Sequence, residues 1–441
     1  MDVDAFELYQ QLAIAQRGAY NAFIATPRWA VASASPECFF EIADGVVTTV
    51  PMKGTARRGR YLAEDQAAAE ALTRSAKEQA ENLMIVDLVR NDLGRVATYG
   101  SVVVTDLFKL ERYPTIWQVT SRVSARLSEG AGLVEVFRAL FPCGSVTGAP
   151  KASTMRIIAE LEQSPRGLYC GAIGTVFPSE HGPVAKFAVA IRTATVDLSS
   201  GVATYGAGGG ITFDSDAGAE WDEVAAKTEV LTFAPPEFGL FETLRYEASL
   251  GYVNGPRHLR RLGESAGFLG IPFDLALAEQ LLASARQSNP PLARVRLSLA
   301  RSGELTYEAE VLGEDVEEPV RLAIDTVAVD SREVRLFHKT TARERYDSAR
   351  RRYMEADDVI LVNEADQVTE TSRANLAVRI GEEWLTPALS RGLLPGVERG
   401  RLLEEGRLTE RVITRQMCKD AEALATLSSL RGWRDAVLVH R

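Results

Sequence analysis

Cysteine is scarce in this chain. The 441 residues hold four, Cys38, Cys143, Cys170 and Cys418, and no two form a CxxC pair. Such spacing excludes a disulfide framework and a cysteine metal site. Long apolar runs are missing as well. No stretch is suited to span a bilayer, and the start carries no signal-peptide pattern, so the expectation is a cytoplasmic protein with no membrane partner. Positive charge is in deficit: 50 Lys and Arg against 60 Asp and Glu leave a formal net charge of −10. Nucleic acid is therefore not expected as a partner. The clusters Arg57-Arg58 and Arg350-Arg351-Arg352 read as local solvated faces. No internal repeat is visible, so the halves are not a duplication.

What is present is ordinary globular composition, 46% hydrophobic and 25% charged. A chain of this length makes about two to four folding units. The pattern predicts an α+β mixture. Residues 26–40 and 45–51 cluster β-branched and aromatic residues as strands do. Residues 64–93 carry Ala, Glu, Lys and Leu at helical period and predict one long amphipathic helix. A strand is expected over 101–110, a helix over 150–162 with Pro150 at its first turn, paired strands over 184–196 and 202–205, and a helix over 216–231. The run Ala234-Pro235-Pro236-Glu237 is the expected linker, because two prolines break helix and sheet alike. It divides a domain 1–233 from a domain 238–441. The second half restarts as strand, passes through a helix near 255–267, and then alternates strands and helices.

Two lysines organise the polar residues. Lys53 lies in Val50-Pro51-Met52-Lys53-Gly54-Thr55, and Lys339 follows a predicted strand in Leu336-Phe337-His338-Lys339-Thr340. Lysine becomes a nucleophile when burial or nearby charge lowers its pKa. In the first half, Glu78 and Glu81 share a helix face, and Glu220 and Glu223 repeat the spacing. Four such carboxylates suit a hard cation such as Mg²⁺, though glutamates three apart also serve as plain solvated surface. The run Gly206-Ala207-Gly208-Gly209-Gly210 lets backbone amides approach an anion, or simply makes a tight turn. Tyr169 and Arg192 are candidate carboxylate binders. Arg192 sits in an apolar strand, where a guanidinium needs an anionic partner, either a ligand or one of the protein's own acids.

In the second half, Lys339, Glu370 and Arg261 with the amides around Gly396, Val397 and Glu398 make the set that a pyridoxal phosphate enzyme requires. That set is a covalent lysine, an acid for the pyridine nitrogen, and a phosphate cradle at a helix N-terminus. Each has a bland reading too: Glu370 as a strand-end surface acid, Arg261 as an exposed helix arginine.

The order of motifs carries a resemblance. Met52-Lys53-Gly54-Thr55, Glu81-Asn82-Leu83-Met84-Ile85-Val86-Asp87, Gly144-Ser145-Val146-Thr147-Gly148-Ala149-Pro150-Lys151, Tyr169-Cys170-Gly171-Ala172-Ile173-Gly174, the glycine run and Glu220-Trp221-Asp222-Glu223 follow one another. This resembles the chorismate-utilising family, and within it the branch of aminodeoxychorismate synthase component I, over about residues 5–232. Anthranilate synthases of that family typically carry Ala where Lys53 stands. Relatives carry a long further N-terminal segment, so a partial α/β sandwich, incomplete at its N-terminus, is expected. Gln118 stands where many relatives have His.

The resemblance implies that Lys53 attacks ring C2 of chorismate with loss of the C4 hydroxyl, after which ammonia adds at C4 and releases the lysine. It implies Mg²⁺ held by Glu81 and Glu223 with Glu78 and Glu220 in support. Thr147, Tyr169, Arg192 and the amides of Gly208 and Gly209 would orient the substrate's carboxylates. No cysteine sits in a Gly-x-Cys-x-Gly elbow, so ammonia is expected from a separate glutamine amidotransferase subunit or from solution.

The second half, from Phe238-Gly239-Leu240-Phe241-Glu242-Thr243 through Thr369-Glu370-Thr371-Ser372-Arg373-Ala374-Asn375 to Leu394-Pro395-Gly396-Val397-Glu398, resembles the fold-type IV pyridoxal phosphate family. That family includes amino acid aminotransferases and aminodeoxychorismate lyase. The resemblance implies pyridoxal phosphate on Lys339, a homodimer through this domain, and release of pyruvate from aminodeoxychorismate to give 4-aminobenzoate. Thr243 would assist the leaving group, and Ser428 stands where Asn is common. The product of the first half would be the substrate of the second, a step in folate biosynthesis. The alternative is an amino acid aminotransferase fused to a non-catalytic interaction module.

Overall fold

The computed structural model describes residues 4–180, 183–213, 215–232, 237–313 and 318–439. Ala234, Pro235 and Pro236 of the expected linker lie outside them. The chain divides into two compact units, Met1–Gly59 with Asp65–Pro235, and Arg60–Glu64 with Pro236–Arg441.

The first unit holds two antiparallel sheets. One runs Tyr20–Ala25, Trp29–Ser35, Thr193–Asp197, Val202–Tyr205. The other runs Met52–Arg57, Ile116–Arg126, Val46–Val50, Cys38–Ala43, Val184–Val189, Ala172–Phe177, with Val103–Arg112 also paired to Ile116–Arg126. Helix Ala76–Gly94 lays Ile85, Val86, Val89 and Leu93 on the second sheet, against Phe40, Val47 and Val123. Burial of such side chains stabilises by about 1.5–3 kcal/mol each.

Three expectations are corrected here. The long helix over 64–93 is two, Leu62–Arg74 and Ala76–Gly94. Ser75 breaks it by turning extended and accepting from the amide of Glu78, which outcompetes continued helix. The strand over 184–196 is also two, and its halves join different sheets, so only Thr193–Asp197 pairs with Val202–Tyr205. The break falls at Arg192, whose φ is 52°. Arg58, expected on a solvated face, has its side chain buried against Asp65, which it grips at 2.6 Å.

In the second unit a four-stranded antiparallel sheet runs Gly251–Tyr252, Leu240–Glu247, Leu292–Leu299, Leu305–Val311. An eight-stranded mixed sheet runs Val368–Thr371, Asp358–Val362, Val320–Ile324, Gly432–Leu438, Ala423–Ser428, Asn375–Ile380, Glu383–Pro387, Thr409–Arg411. Helix Gly255–Leu269 covers the smaller sheet through Leu259, Leu262 and Ala266. Lys339 does not follow a strand. A 3₁₀ turn, Val334–Phe337, precedes it, and its carbonyl accepts from the amide of Phe241 at 3.0 Å. That bond fixes Lys339 to the strand bearing Glu242 and Thr243.

Candidate active sites

The first site forms where the strand Met52–Arg57, the glycine run and two helices meet. A Cβ placed on Gly210 would lie 3.0 Å from Lys53 Nζ, one on Gly209 3.1 Å from Glu220 Oε2, and one on Gly208 3.1 Å from the Tyr169 hydroxyl. Gly206 lies against the Tyr169 ring, 2.4 Å from such a Cβ, so a side chain there would collide with it. The run thus brings its backbone close against all three groups, and a side chain at Gly208, Gly209 or Gly210 would press on their tips. Gly54, at φ 93°, brings the backbone beside Lys53 to within reach of Glu78, whose Oε2 is 3.1 Å from a built Cβ.

The four glutamates face one another. Burial and the charges of Glu81, Glu223 and Glu220 raise the pKa of Glu78, partly offset by Lys77. Lys77 Nζ lies 3.9 Å from Glu81 and 3.7 Å from Glu220, and Lys227 Nζ lies 2.6 Å from Glu223. Among the described residues no three His, Cys, Asp or Glu side chains are closed round one point as a metal site. The donor chemistry nevertheless suits a hard cation. Glu220 Oε2 is buried without a hydrogen-bond partner, an orphaned acceptor beside the glycine run.

The side chains of Arg192 and Thr147 make no hydrogen bond to the glycine run, Lys53 or the four glutamates among the described residues. Arg192 is buried, but its Nη1 donates to the carbonyl of Lys227 at the end of helix Ala217–Thr228, and it has no carboxylate partner among the described residues. The Thr147 hydroxyl turns back to the Cys143 carbonyl at 2.9 Å.

Sequence reasoning missed Glu37. It is 3% exposed, and its Oε1 has no partner. Burial pushes its pKa up to about 7, against the pull of the Ser145 hydroxyl and the Lys53 ammonium. A readable signal existed, a lone carboxylate in the apolar run Ala34-Ser35-Pro36-Glu37-Cys38-Phe39-Phe40.

The second site is a cavity of about 750 Å³. Lys339, Glu370, Arg261, Thr243, Gly396, Val397 and Glu398 all line it. Burial and the Arg261 charge lower the pKa of Lys339 to about 8. Glu370 is raised to about 7 by burial, although Tyr346 donates to one oxygen at 3.0 Å and Asn375 and the Leu394 amide donate to the other, each at 3.2 Å.

Gly396 begins helix Val397–Glu404 with no side-chain cap, so its first amides are left for a ligand. A Cβ on Gly396 would fall 1.7 Å from Asn375 Oδ1. Arg261 reaches the Pro395 carbonyl at 3.1 Å while holding Glu242 through two nitrogens. His258 lies 2.7 Å from both Glu242 and Ser429. Burial works to raise Glu242, and Arg261 and His258 outweigh it, holding its pKa at about 2. Ser428 accepts from the Arg431 amide.

A buried amine of lowered pKa, a buried acid with a free lone pair, and an uncapped helix start beside an arginine fit pyridoxal phosphate. Tyr346, Asn375, Glu242, His258 and Ser429 complete this arrangement and were not singled out in the sequence.

Two units, each with a lysine, acids and a glycine-bearing backbone segment brought together, make two candidate active sites. Residues 1–233 match the model of the chorismate binding enzyme family, and the chain belongs to it. Residues 239–439 match the amino-transferase class IV model, so a chorismate-binding domain is followed by a class IV aminotransferase domain. The chain is 45% identical over 231 residues to an aminodeoxychorismate synthase of Streptomyces griseus, covering 52% of this chain and 31% of that protein. It is 41% identical over 224 residues to aminodeoxychorismate synthase component 1 of Salmonella typhimurium, covering 51% and 48%. The chain thus spans less than half the length of these curated relatives. A solved structure provisionally described as 4-amino-4-deoxychorismate lyase, from Legionella pneumophila, is 28% identical with a TM-score of 0.43, covering 46% of this chain and 83% of that one. Among the described residues no helix is long and apolar enough to cross a membrane.

Proposed function

We propose that this chain aminates chorismate to 4-amino-4-deoxychorismate in its first domain and eliminates pyruvate from that product in its second, giving 4-aminobenzoate for folate. The division falls at 234–237. The observation that carries this reading is the pairing in one chain of a synthase-like half with a lysine-centred class IV half, because the first product is the second substrate.

In the first site Lys53 Nζ bonds to ring C2, the ring double bonds shift toward C4, and the C4 hydroxyl leaves with the C4–O bonding pair. Glu37, largely protonated below pH 7, donates the proton that makes the leaving group water. Ammonia then bonds at C4 and the Lys53 amine departs from C2. Tyr169 and the Gly208 and Gly209 amides bind substrate carboxylate, with Thr147 and Arg192 in support. Mg²⁺, where bound, would be held by Glu81 and Glu223 with Glu78 and Glu220, and would offset the substrate's negative charge. A separate amidotransferase subunit supplies ammonia.

In the second site pyridoxal phosphate, when bound, would supply an electron sink. Arg261 and the amides of Gly396, Val397 and Glu398 would hold its phosphate, and Glu370 would keep a proton at its pyridine nitrogen. Lys339, which would carry the cofactor, would as a free amine take the C4 proton, and the bond between ring C3 and the enolpyruvyl oxygen would break as the ring becomes aromatic, the enolpyruvyl group leaving as pyruvate. Thr243 lies in the cavity wall to assist that departure. The protein works in the cytoplasm as a homodimer through this domain.

The test is 4-aminobenzoate formation by the purified chain from chorismate, ammonia, Mg²⁺ and pyridoxal phosphate, and in parallel from preformed aminodeoxychorismate. Product from both is expected. Product from neither overturns the reading. The class IV match favours a second reading, an amino acid aminotransferase, which cycling of cofactor absorbance with an amino acid and a 2-oxo acid would reveal.

A further inference from the structure

Arginines crowd one part of the wall of the second cavity. Arg294 comes from strand Leu292–Leu299, Arg343 and Arg350 from the start and last turn of helix Glu344–Arg352, and Arg373 from the turn after strand Val368–Thr371. Arg350, expected on a solvated face, lines the cavity instead. Like charges gathered this way repel one another unless anions answer them.

Arg294 is answered by Glu310 at 2.5 Å, and Arg343 donates to the Ser372 carbonyl and lies over the Tyr346 ring. The side chains of Arg350 and Arg373 make no hydrogen bond or ion pair among the described residues. Burial and the charges of Arg350, Arg343 and Arg294 lower the pKa of Arg373, and Asp358 alone opposes them. Asp358 is itself consumed, accepting from the Thr371 hydroxyl and the amides of Val359 and Ser372. Asp347, on the same helix as Arg350, forms no ion pair with either arginine.

The turn that carries Arg373 is rigid. Its Thr371 amide donates to the Ala374 carbonyl, and its ends bear Glu370 and Asn375. The backbone from which Arg373 projects is therefore fixed, three residues from the cofactor-facing acid.

We infer that Arg373 and Arg350 form a carboxylate subsite in the second cavity, which selects amine substrates bearing a second, remote carboxylate. Monocarboxylate amines engage Lys339 without it. The inference rests on the proposed lysine–cofactor chemistry of this site and extends it to specificity.

The test uses the full chain loaded with pyridoxal phosphate. Wild type, Arg373→Ala, Arg350→Ala and Arg373→Lys are compared on aminodeoxychorismate turnover, and on the cofactor absorbance change caused by glutamate and by alanine. Each charge-assisted hydrogen bond lost should raise the KM for aminodeoxychorismate, and the half-saturation for glutamate, by about tenfold or more. The alanine response and the resting absorbance should stay unchanged, and Arg373→Lys should recover part of the loss. Equal responses of wild type and both alanine variants to the dicarboxylate would overturn the subsite. So would a wild type that does not distinguish glutamate from alanine. Failure of wild type to turn over aminodeoxychorismate, with dicarboxylate preference intact and lost in Arg373→Ala, would sink the lyase reading and leave the subsite standing.

Discussion

Arg261 holds Glu242 with two nitrogens, Nε to one oxygen at 2.8 Å and Nη2 to the other at 2.6 Å. Both side chains are buried, so neither charge can be deleted alone without stranding the other. Glu242→Gln should cost about 3–5 kcal/mol of stability. The folded pKa of Glu242 is depressed to about 2 from an ordinary 4.5. Its stabilisation is therefore complete above pH 4.5 and disappears as pH falls through 2. Urea midpoints of the two proteins should differ widely at pH 7 and draw together towards pH 2. A constant gap would contradict this.

Lys339 is displaced the other way. Its pKa is lowered to about 8 from 10.5, so the folded chain binds fewer protons than the unfolded one between those values. Stability should rise with pH from 8 to 10.5, and the cost of the buried charge should be complete below 8. Lys339→Met should consequently stabilise the cofactor-free chain at pH 7 by up to about 3 kcal/mol. In wild type, condensation with pyridoxal phosphate, followed by absorbance, should accelerate through pH 8, not pH 10.5.

Glu37 makes the first half-reaction pH-dependent. An acid with a pKa raised to about 7 donates a proton below that pH and loses the capacity above it. Ammonia-dependent formation of aminodeoxychorismate, corrected for the fraction of free ammonia, should fall as pH rises through 7. Glu37→Gln should lower the rate about 10²–10⁴-fold and abolish that limb. A variant that keeps the limb would remove Glu37 from the proton transfer.

The two lysines and most of their polar companions were legible in the sequence because backbone motifs fix them locally. Gly396 and Lys339 are read from their neighbours in the chain. What escaped depends on tertiary packing. Ser75 ended a helix by a side-chain bond that helical periodicity does not register. Arg192 interrupts a strand at a positive φ, and its side chain donates to the Lys227 carbonyl of a helix far along the chain, neither of which strand periodicity registers. Glu242 occupies an inward position of strand Leu240–Glu247, where alternation predicts an apolar residue, and Glu37 lies buried in the connection between strands Trp29–Ser35 and Cys38–Ala43; only the folded site supplies their charge partners. Arg350 belongs to a triplet whose other members, Arg351 and Arg352, turn to Ser348 and Asp325, so the triplet as a unit carried no message.

Gly396 offers the sharpest steric test. A Cβ there would meet Asn375 Oδ1 at 1.7 Å, well inside any tolerable separation. Asn375 cannot yield freely, because its amide nitrogen bonds both Glu370 and the Leu394 carbonyl, at 3.2 and 3.0 Å. Gly396→Ala should therefore disturb two functions at once, the amides that begin helix Val397–Glu404 and the orientation of Glu370. Affinity for pyridoxal phosphate should fall about tenfold or more, since charge-assisted bonds to phosphate are strong and geometrically exacting. Removing the obstruction in Gly396→Ala/Asn375→Ala should recover phosphate binding but not the rate, because Glu370 then loses a donor. Equilibrium dialysis of the cofactor separates these effects from turnover. If Gly396→Ala binds cofactor as wild type does, the helix start is not the phosphate cradle.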